Sequence, residues 1–309
     1  MLASFFKKSK PINFLIVGVF MIIYFVVANF FKSDDPLSWQ FMTEKIGYLI
    51  IYLLLTFILN FIVKRNGISK KNSFAILLFA LFTMLLLPVL KASEIFVSAF
   101  FILLALRKII SLNSGLEIKK KIFDASMWIA VASLFYPLSL FFLILPFVGI
   151  FYYATQDFKN FLIPIVALIC TYLLVTTGYL LALDQTFPLT QFLIIPDFTI
   201  GIYQEAYLLI PLIIIALFTL ISLFFFLKEM QSTIRKRKAM LFLIFLFFII
   251  GLLILVLSPH KTGDELLFPI LGVSVMGVIF LEQKGLKLIK EIALATLILA
   301  VLIIPFALW

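Results

Sequence analysis

The sequence predicts an all-α fold, a polytopic bundle of transmembrane helices forming a single domain over residues 1–309. Three observations carry this. Hydrophobic residues make up 64% of the chain and charged residues only 13%, whereas soluble domains run near half apolar and a quarter charged. Apolar runs of about 20 residues recur along the chain, the length that crosses a bilayer as a helix. Lys and Arg gather in every second break between those runs, as expected when basic loops stay on one side of a membrane.

Eleven runs are expected to span: 11–31, 46–63, 74–90, 94–111, 122–136, 138–154, 161–183, 208–227, 239–257, 266–281 and 292–309. The first follows a start rich in lysine (Lys7, Lys8, Lys10) that resembles a signal peptide. Its apolar stretch is longer than a signal core and no small-residue cleavage site follows, so it reads as an uncleaved anchor. The second is closed by Lys64-Arg65, and the third and fourth flank Lys91. The fifth follows Lys119, Lys120 and Lys121 and stops at Tyr136-Pro137, because proline removes a backbone donor and disfavours continued helix. The sixth begins after that break, and Lys159 precedes the seventh. A long connection, 184–207, leads to the eighth and is itself apolar (Phe187, Pro188, Phe192, Ile194, Ile195, Pro196, Phe198), so it is expected at the membrane interface. Arg235, Lys236, Arg237 and Lys238 introduce the ninth run, Ser258–Glu265 joins it to the tenth, and Leu286–Lys290 leads into the last as a short interfacial stretch.

Counting basic residues by side gives the orientation. With the N-terminus cytoplasmic, 21 of the 25 Lys and Arg fall inside, leaving Lys32, Lys45, Lys91 and Lys261 outside. An odd span count then puts the C-terminus in the periplasm of a bacterial inner (cytoplasmic) membrane. The net charge of +10 therefore belongs to a membrane surface, and no basic domain exists to hold nucleic acid. Membrane lipids are the expected partners, with Arg235–Lys238 as their contact. Another membrane or periplasmic protein is a further possible partner.

Chemistry-bearing residues are few. Cys170, the single cysteine, excludes an intrachain disulfide, and one Cys with one His leaves no zinc-type cluster. No cofactor or metal set is expected, although a carboxylate-only Mg²⁺ or Ca²⁺ site stays possible. The nearest thing to an intramembrane charge is Asp124, read as a local pair with Lys120 or as a helix N-terminal carboxylate. Ser126, Ala130 and Ser133 share one helix face and permit close helix approach. Thr171, Thr176, Thr177, Thr219 and Ser222 are expected to bond their own helix backbone.

The outer side holds nine acids against four basic residues. Asp34, Asp35, His260 and Asp264 are the candidate catalytic groups there, and Lys261, Glu265, Glu205 and Tyr203 the candidate substrate contacts. A carboxylate at the membrane surface can act as a general base or hold a divalent ion, and His260 can titrate near neutrality. The plainer reading of the same residues is solvated loop charge.

Two stretches carry a resemblance: Leu106-Arg107-Lys108 followed by Ile122–Ser126 and Leu134-Phe135-Tyr136, and Gly263–Pro269. With the opening Met1–Lys7 they resemble an uncharacterised inner-membrane family of Bacteroidota envelopes, over the whole chain. A fainter similarity is to GT-C membrane glycosyltransferases, which use polyprenyl-phosphate sugars. Asp34-Asp35 looks like their acidic motif in the first outer loop, and Asp264-Glu265 before Phe268-Pro269 looks like a late acidic motif. That resemblance implies Asp34 or Asp35 as base or metal-holding acid, with His260 and Lys261 near the phosphate. The loop 32–45 is shorter than theirs and carries no Arg.

Three functions follow as expectations. The first is a non-catalytic subunit or scaffold of a membrane complex in cell-envelope biogenesis. The second is a GT-C-like glycosyltransferase, and the third a carrier for a lipid or small solute.

Overall fold

The computed structural model describes residues 2–30, 38–69, 72–91, 93–193, 195–199, 201–259 and 261–308. Helices account for nearly all of them, and no strand occurs among the described residues. In chain order the helices are α1 (Leu2–Phe6), α2 (Pro11–Phe30), α3 (Trp39–Arg65), α4 (Phe74–Leu85), α5 (Leu87–Leu90), α6 (Glu94–Ile110), α7 (Ile118–Phe135), α8 (Ile144–Tyr153), α9 (Ile163–Leu183), α10 (Ala206–Ser232), α11 (Arg235–Leu257), α12 (Leu267–Glu282) and α13 (Lys287–Leu308). Eight of them, α2, α3, α6 and α9 to α13, are long and apolar enough to cross a membrane when the short 3₁₀ turns that extend some of them are included. The chain is thus a helical membrane protein. Each expected run coincides with helix, but three fall short of that measure.

The reasons are local. The run 74–90 breaks at Leu86, because Pro88 lacks an N–H and its ring would collide with the carbonyl four residues back. The run 138–154 begins as a 3₁₀ stretch, Pro137–Leu143, leaving α8 only ten residues. Pro146 cannot donate to residue 142, so the tighter i→i+3 pattern carries the chain until α-helix resumes. The run 122–136 starts four residues earlier than expected and takes in all three lysines 119–121, which lowers its hydropathy.

Capping sets other ends. Ser38 Oγ accepts from Phe41 N at 3.1 Å to open α3, and Ser93 Oγ accepts from Ile95 N at 3.3 Å to open α6. Lys64 and Arg65 close α3, and Arg107 and Lys108 close α6, where cations complement the helix dipole.

The core is built around α4 and α12. Every residue of α4 is buried, as is every residue from Leu267 to Leu281. A helix apolar on all sides is stable only if protein or lipid surrounds it, and here it is protein: α12 packs on α4, α10 and α11, while α2, α3 and α13 close around α4. Close approach requires glycine at two points. A Cβ on Gly251 would lie 2.8 Å from Pro269 N, and one on Gly277 would lie 2.7 Å from Leu78 Cδ1. Thr83, the polar residue of α4, is satisfied by Phe79 O at 2.9 Å and by the buried Tyr52 hydroxyl. By contrast only 17% of the apolar window of α9 is buried, and this helix packs chiefly on α7.

The bundle has two ends, each tied by its own polar contacts. At the first, Asn13 Nδ2 donates to Lys8 O at 2.8 Å, Ser73 N to Phe6 O at 3.1 Å, and Lys64 Nζ to Ser9 Oγ at 2.6 Å. Asn72 Nδ2 donates to Glu282, Arg237 pairs with Glu229 at 3.0 Å, and Tyr153 Oη donates to Lys236 O at 3.4 Å. Asp124 pairs at this end with Lys108 of α6 at 2.6 Å, not with Lys120, which sits 3.9 Å from Glu117. The α6–α7 hairpin brings Lys108 alongside, and a cross-helix partner displaces the one a turn away. Lys119 holds the exposed Asp157 at 2.9 Å and keeps its carboxyl below the usual carboxylate range. At the second end, Asn29 Nδ2 donates to Leu90 O at 2.8 Å and Tyr136 Oη to Ser258 Oγ at 3.2 Å.

Candidate functional site at the Glu265 end of the bundle

Among the described residues, a polar cluster at the second end forms where α11 hands over to α12. The connection turns at Gly263, whose φ of 95° suits a residue without Cβ. That turn aims the Gly263 N–H at Glu265 Oε2, 2.9 Å away. A 3₁₀ turn, Asp264–Leu266, follows and carries the Glu265 side chain inward to complete burial. Tyr203, in the 3₁₀ turn Gly201–Gln204 that ends the long connection, donates its hydroxyl to Glu265 Oε1. Thr262 Oγ1 donates to Asp264 and lies 3.5 Å from Glu265 Oε2. Burial, with the Glu265 carboxyl beside it, pushes the Tyr203 phenol well above its ordinary value, so it stays a donor. Nearby, Tyr136 stacks on Phe268 with ring centroids 5.7 Å apart, and Pro88 Cβ packs against Gly263.

Of the residues singled out from sequence, the structure brings Tyr203, Asp264 and Glu265 together. Glu205 is exposed and starts α10 through its carbonyl, which accepts from Leu208 N at 3.0 Å and Leu209 N at 2.8 Å. Lys261 is partly exposed at the rim. Asp34, Asp35 and His260 lie outside the described residues. Arg235, Lys236 and Lys238 are exposed at the opposite end, and Arg237 is engaged with Glu229. Ser126, Ala130 and Ser133 are fully buried, and Ser133 bonds Tyr172 of α9. Thr171, Thr177 and Thr219 each donate to the carbonyl four residues back, as expected, whereas Ser222 Oγ is buried without a partner, against the expectation. Among the described residues no group of three or more His, Cys, Asp or Glu can hold a metal ion.

Sequence reasoning missed Tyr136, Thr262 and Gly263 as members of this cluster. Gly263 offered a signal, since glycine before an acid at a helix start marks a tight turn. Tyr136 offered none, being adjacent only through the fold.

Chemically the cluster is a lock. Both Glu265 oxygens already accept hydrogen bonds, and no face of the carboxyl meets solvent. A substrate could reach it only if Tyr203 left. What the lock holds is the second half of the long connection; the first half is held by Phe187, which packs on Tyr172, Tyr179 and Phe192.

No curated protein and no solved structure matches this sequence. A family match spans residues 1–308, and the chain belongs to DUF6427, a family of unknown function.

Proposed function

We propose that this protein is a non-catalytic integral subunit of a membrane complex, docking a second helical membrane protein along α9 and the connection that follows it. The observation that carries this reading is the exposure of α9: a 21-residue helix tied to its own bundle along little more than one flank. Its apolar surface continues into the connection, where Leu193 and Ile195 are 80% and 85% exposed, between the Phe187 ring contacts and the Tyr203–Glu265 hydrogen bond. An apolar helix face left uncovered by its own bundle meets lipid or a second helix, and on this reading a second helix packs closely against it. The saturated carboxyl of Glu265 favours anchorage over catalysis at this end.

The proposed setting is the bacterial inner membrane, with eleven crossings, the N-terminus cytoplasmic and the C-terminus periplasmic. Support comes from the two ends. Polar contacts join segments that carry the inner basic residues to one another. The short segments also run the full height of longer neighbours. Asn13 meets Ser73 and Asn29 meets Leu90, so residues 73–90 accompany α2. Tyr136 meets Ser258 and Tyr153 meets Lys236, so residues 137–153 accompany α11.

Photocrosslinking from Leu174, Leu181 and Leu193, with Ile23 of α2 and Leu299 of α13 as controls, tests the docking. One protein crosslinked from all three sites and from neither control is the expected result, and a polar substitution at Leu181 should abolish it. Crosslinks to lipid alone, or equally from the controls, would overturn the reading.

A further inference from the structure

We propose that the groove between α3 and α6 at the basic end of the bundle is a binding site for one anionic diacyl phospholipid. The groove is open to the side, has a volume of about 680 Å³, and is lined by Phe57, Asn60, Phe61, Lys64 and Arg65 of α3 and by Arg107 of α6. It contains three cations and no acid.

The groups are layered as a phospholipid is. Phe57, Phe61 and Arg65 recur every four residues, so they lie along one face of α3. Asn60 and Lys64 form the adjacent row. From Lys64 to Asn60 the helix descends about 6 Å toward the membrane centre, from the level of a phosphate to that of an acyl ester. Phe57 and Phe61, both largely exposed, form the acyl-chain wall below and beside it. Arg107 crosses from α6, its guanidinium 4.7 Å from the Phe61 ring centroid. That stacking holds the fork at the groove mouth and leaves its N–H donors for a phosphate.

Asn60 lines the groove one turn below Lys64, and its amide nitrogen is a hydrogen-bond donor at the depth where a lipid carries an ester carbonyl. Lys64 is preset by Ser9, which accepts from its Nζ at 2.6 Å. The net positive lining selects an anionic headgroup over a zwitterionic one.

The experiment is native mass spectrometry of the full-length protein titrated with phosphatidylglycerol or with phosphatidylcholine of the same acyl chains. The unmodified protein should take up one phosphatidylglycerol about tenfold more tightly than phosphatidylcholine, a preference that R65Q/R107Q should lose. R65K/R107K should retain most of it, which separates charge from misfolding. The K120Q/K159Q pair, two exposed lysines outside the groove, should leave the first lipid bound. Equal uptake of both lipids, or full selectivity in R65Q/R107Q, would overturn the proposal.

Discussion

Replacing Tyr203 by Phe tests the lock at its weakest point. The substitution keeps the ring and removes one hydroxyl, so packing is conserved while Glu265 Oε1 loses its donor. The carboxyl is fully buried and water cannot replace the missing bond. A buried acceptor stripped of its partner costs about 1–3 kcal/mol. Gly263 N, at 2.9 Å, still serves the other oxygen, so the carboxyl is not left bare. The cost falls on the closed state of residues 201–208, whose open population should rise about fivefold to 150-fold. Hydrogen exchange in detergent reads this directly. The amides of Glu205 and Leu208, bonded to Ile202 O and Glu205 O, should exchange faster by that factor. Those of 187–192 should not change, because Phe187 holds them separately. Unchanged exchange at 202–208 would refute the reasoning, since the Tyr203–Glu265 bond would then hold nothing.

Gly251→Ala should destabilise the bundle by about 1–3 kcal/mol in thermal unfolding, because the new Cβ meets backbone atoms of Phe268 and Pro269 that cannot step aside. Gly178→Ala, with nothing within 4 Å of its Cβ, should be neutral or stabilising by up to about 1 kcal/mol. Asp124→Asn should cost about 1–2 kcal/mol by releasing the half-buried Lys108, and Lys120→Met should cost nothing measurable. The Asp157–Lys119 pair is too exposed to move the unfolding temperature, so Asp157→Asn should leave it unchanged at neutral pH, and the small contribution of the pair should vanish as pH falls from the ordinary carboxylate value through the lowered folded one. With Cys170 replaced by Ser, a cysteine at Thr43, exposed in the first turns of α3, should react with an impermeant thiol reagent from outside intact cells, and one at Lys238 only after lysis; the reverse would overturn the proposed orientation.

Residues far apart in sequence show what could be foreseen and what could not. The helical class was legible because a chain this apolar meets a solvent without hydrogen-bonding capacity. Its backbone must then satisfy itself, and helices do so within each segment. The Tyr136-Pro137 break was legible because proline acts on its own neighbours. The break at Leu86 follows from Pro88 by the same rule, but no charge marked it within its apolar run. The acids and Tyr203 could be named as unusual, yet not grouped. Asp264 and Glu265 meet Tyr203 across some 60 residues, and nothing local encodes that meeting.

Composition set the class, the approximate spans and the division of charge, because each depends on single residues meeting water or lipid. The tertiary structure decided which runs are central. Residues 74–85 and 267–281 are no different in kind from α9, yet the first two are enclosed by protein while α9 packs on α7 and leaves most of its surface uncovered. Lipid is as apolar as leucine, so hydrophobicity cannot distinguish a helix that faces the bilayer from one that faces other helices. Close packing makes that choice, at contacts such as Gly251 on Pro269 and Gly277 on Leu78.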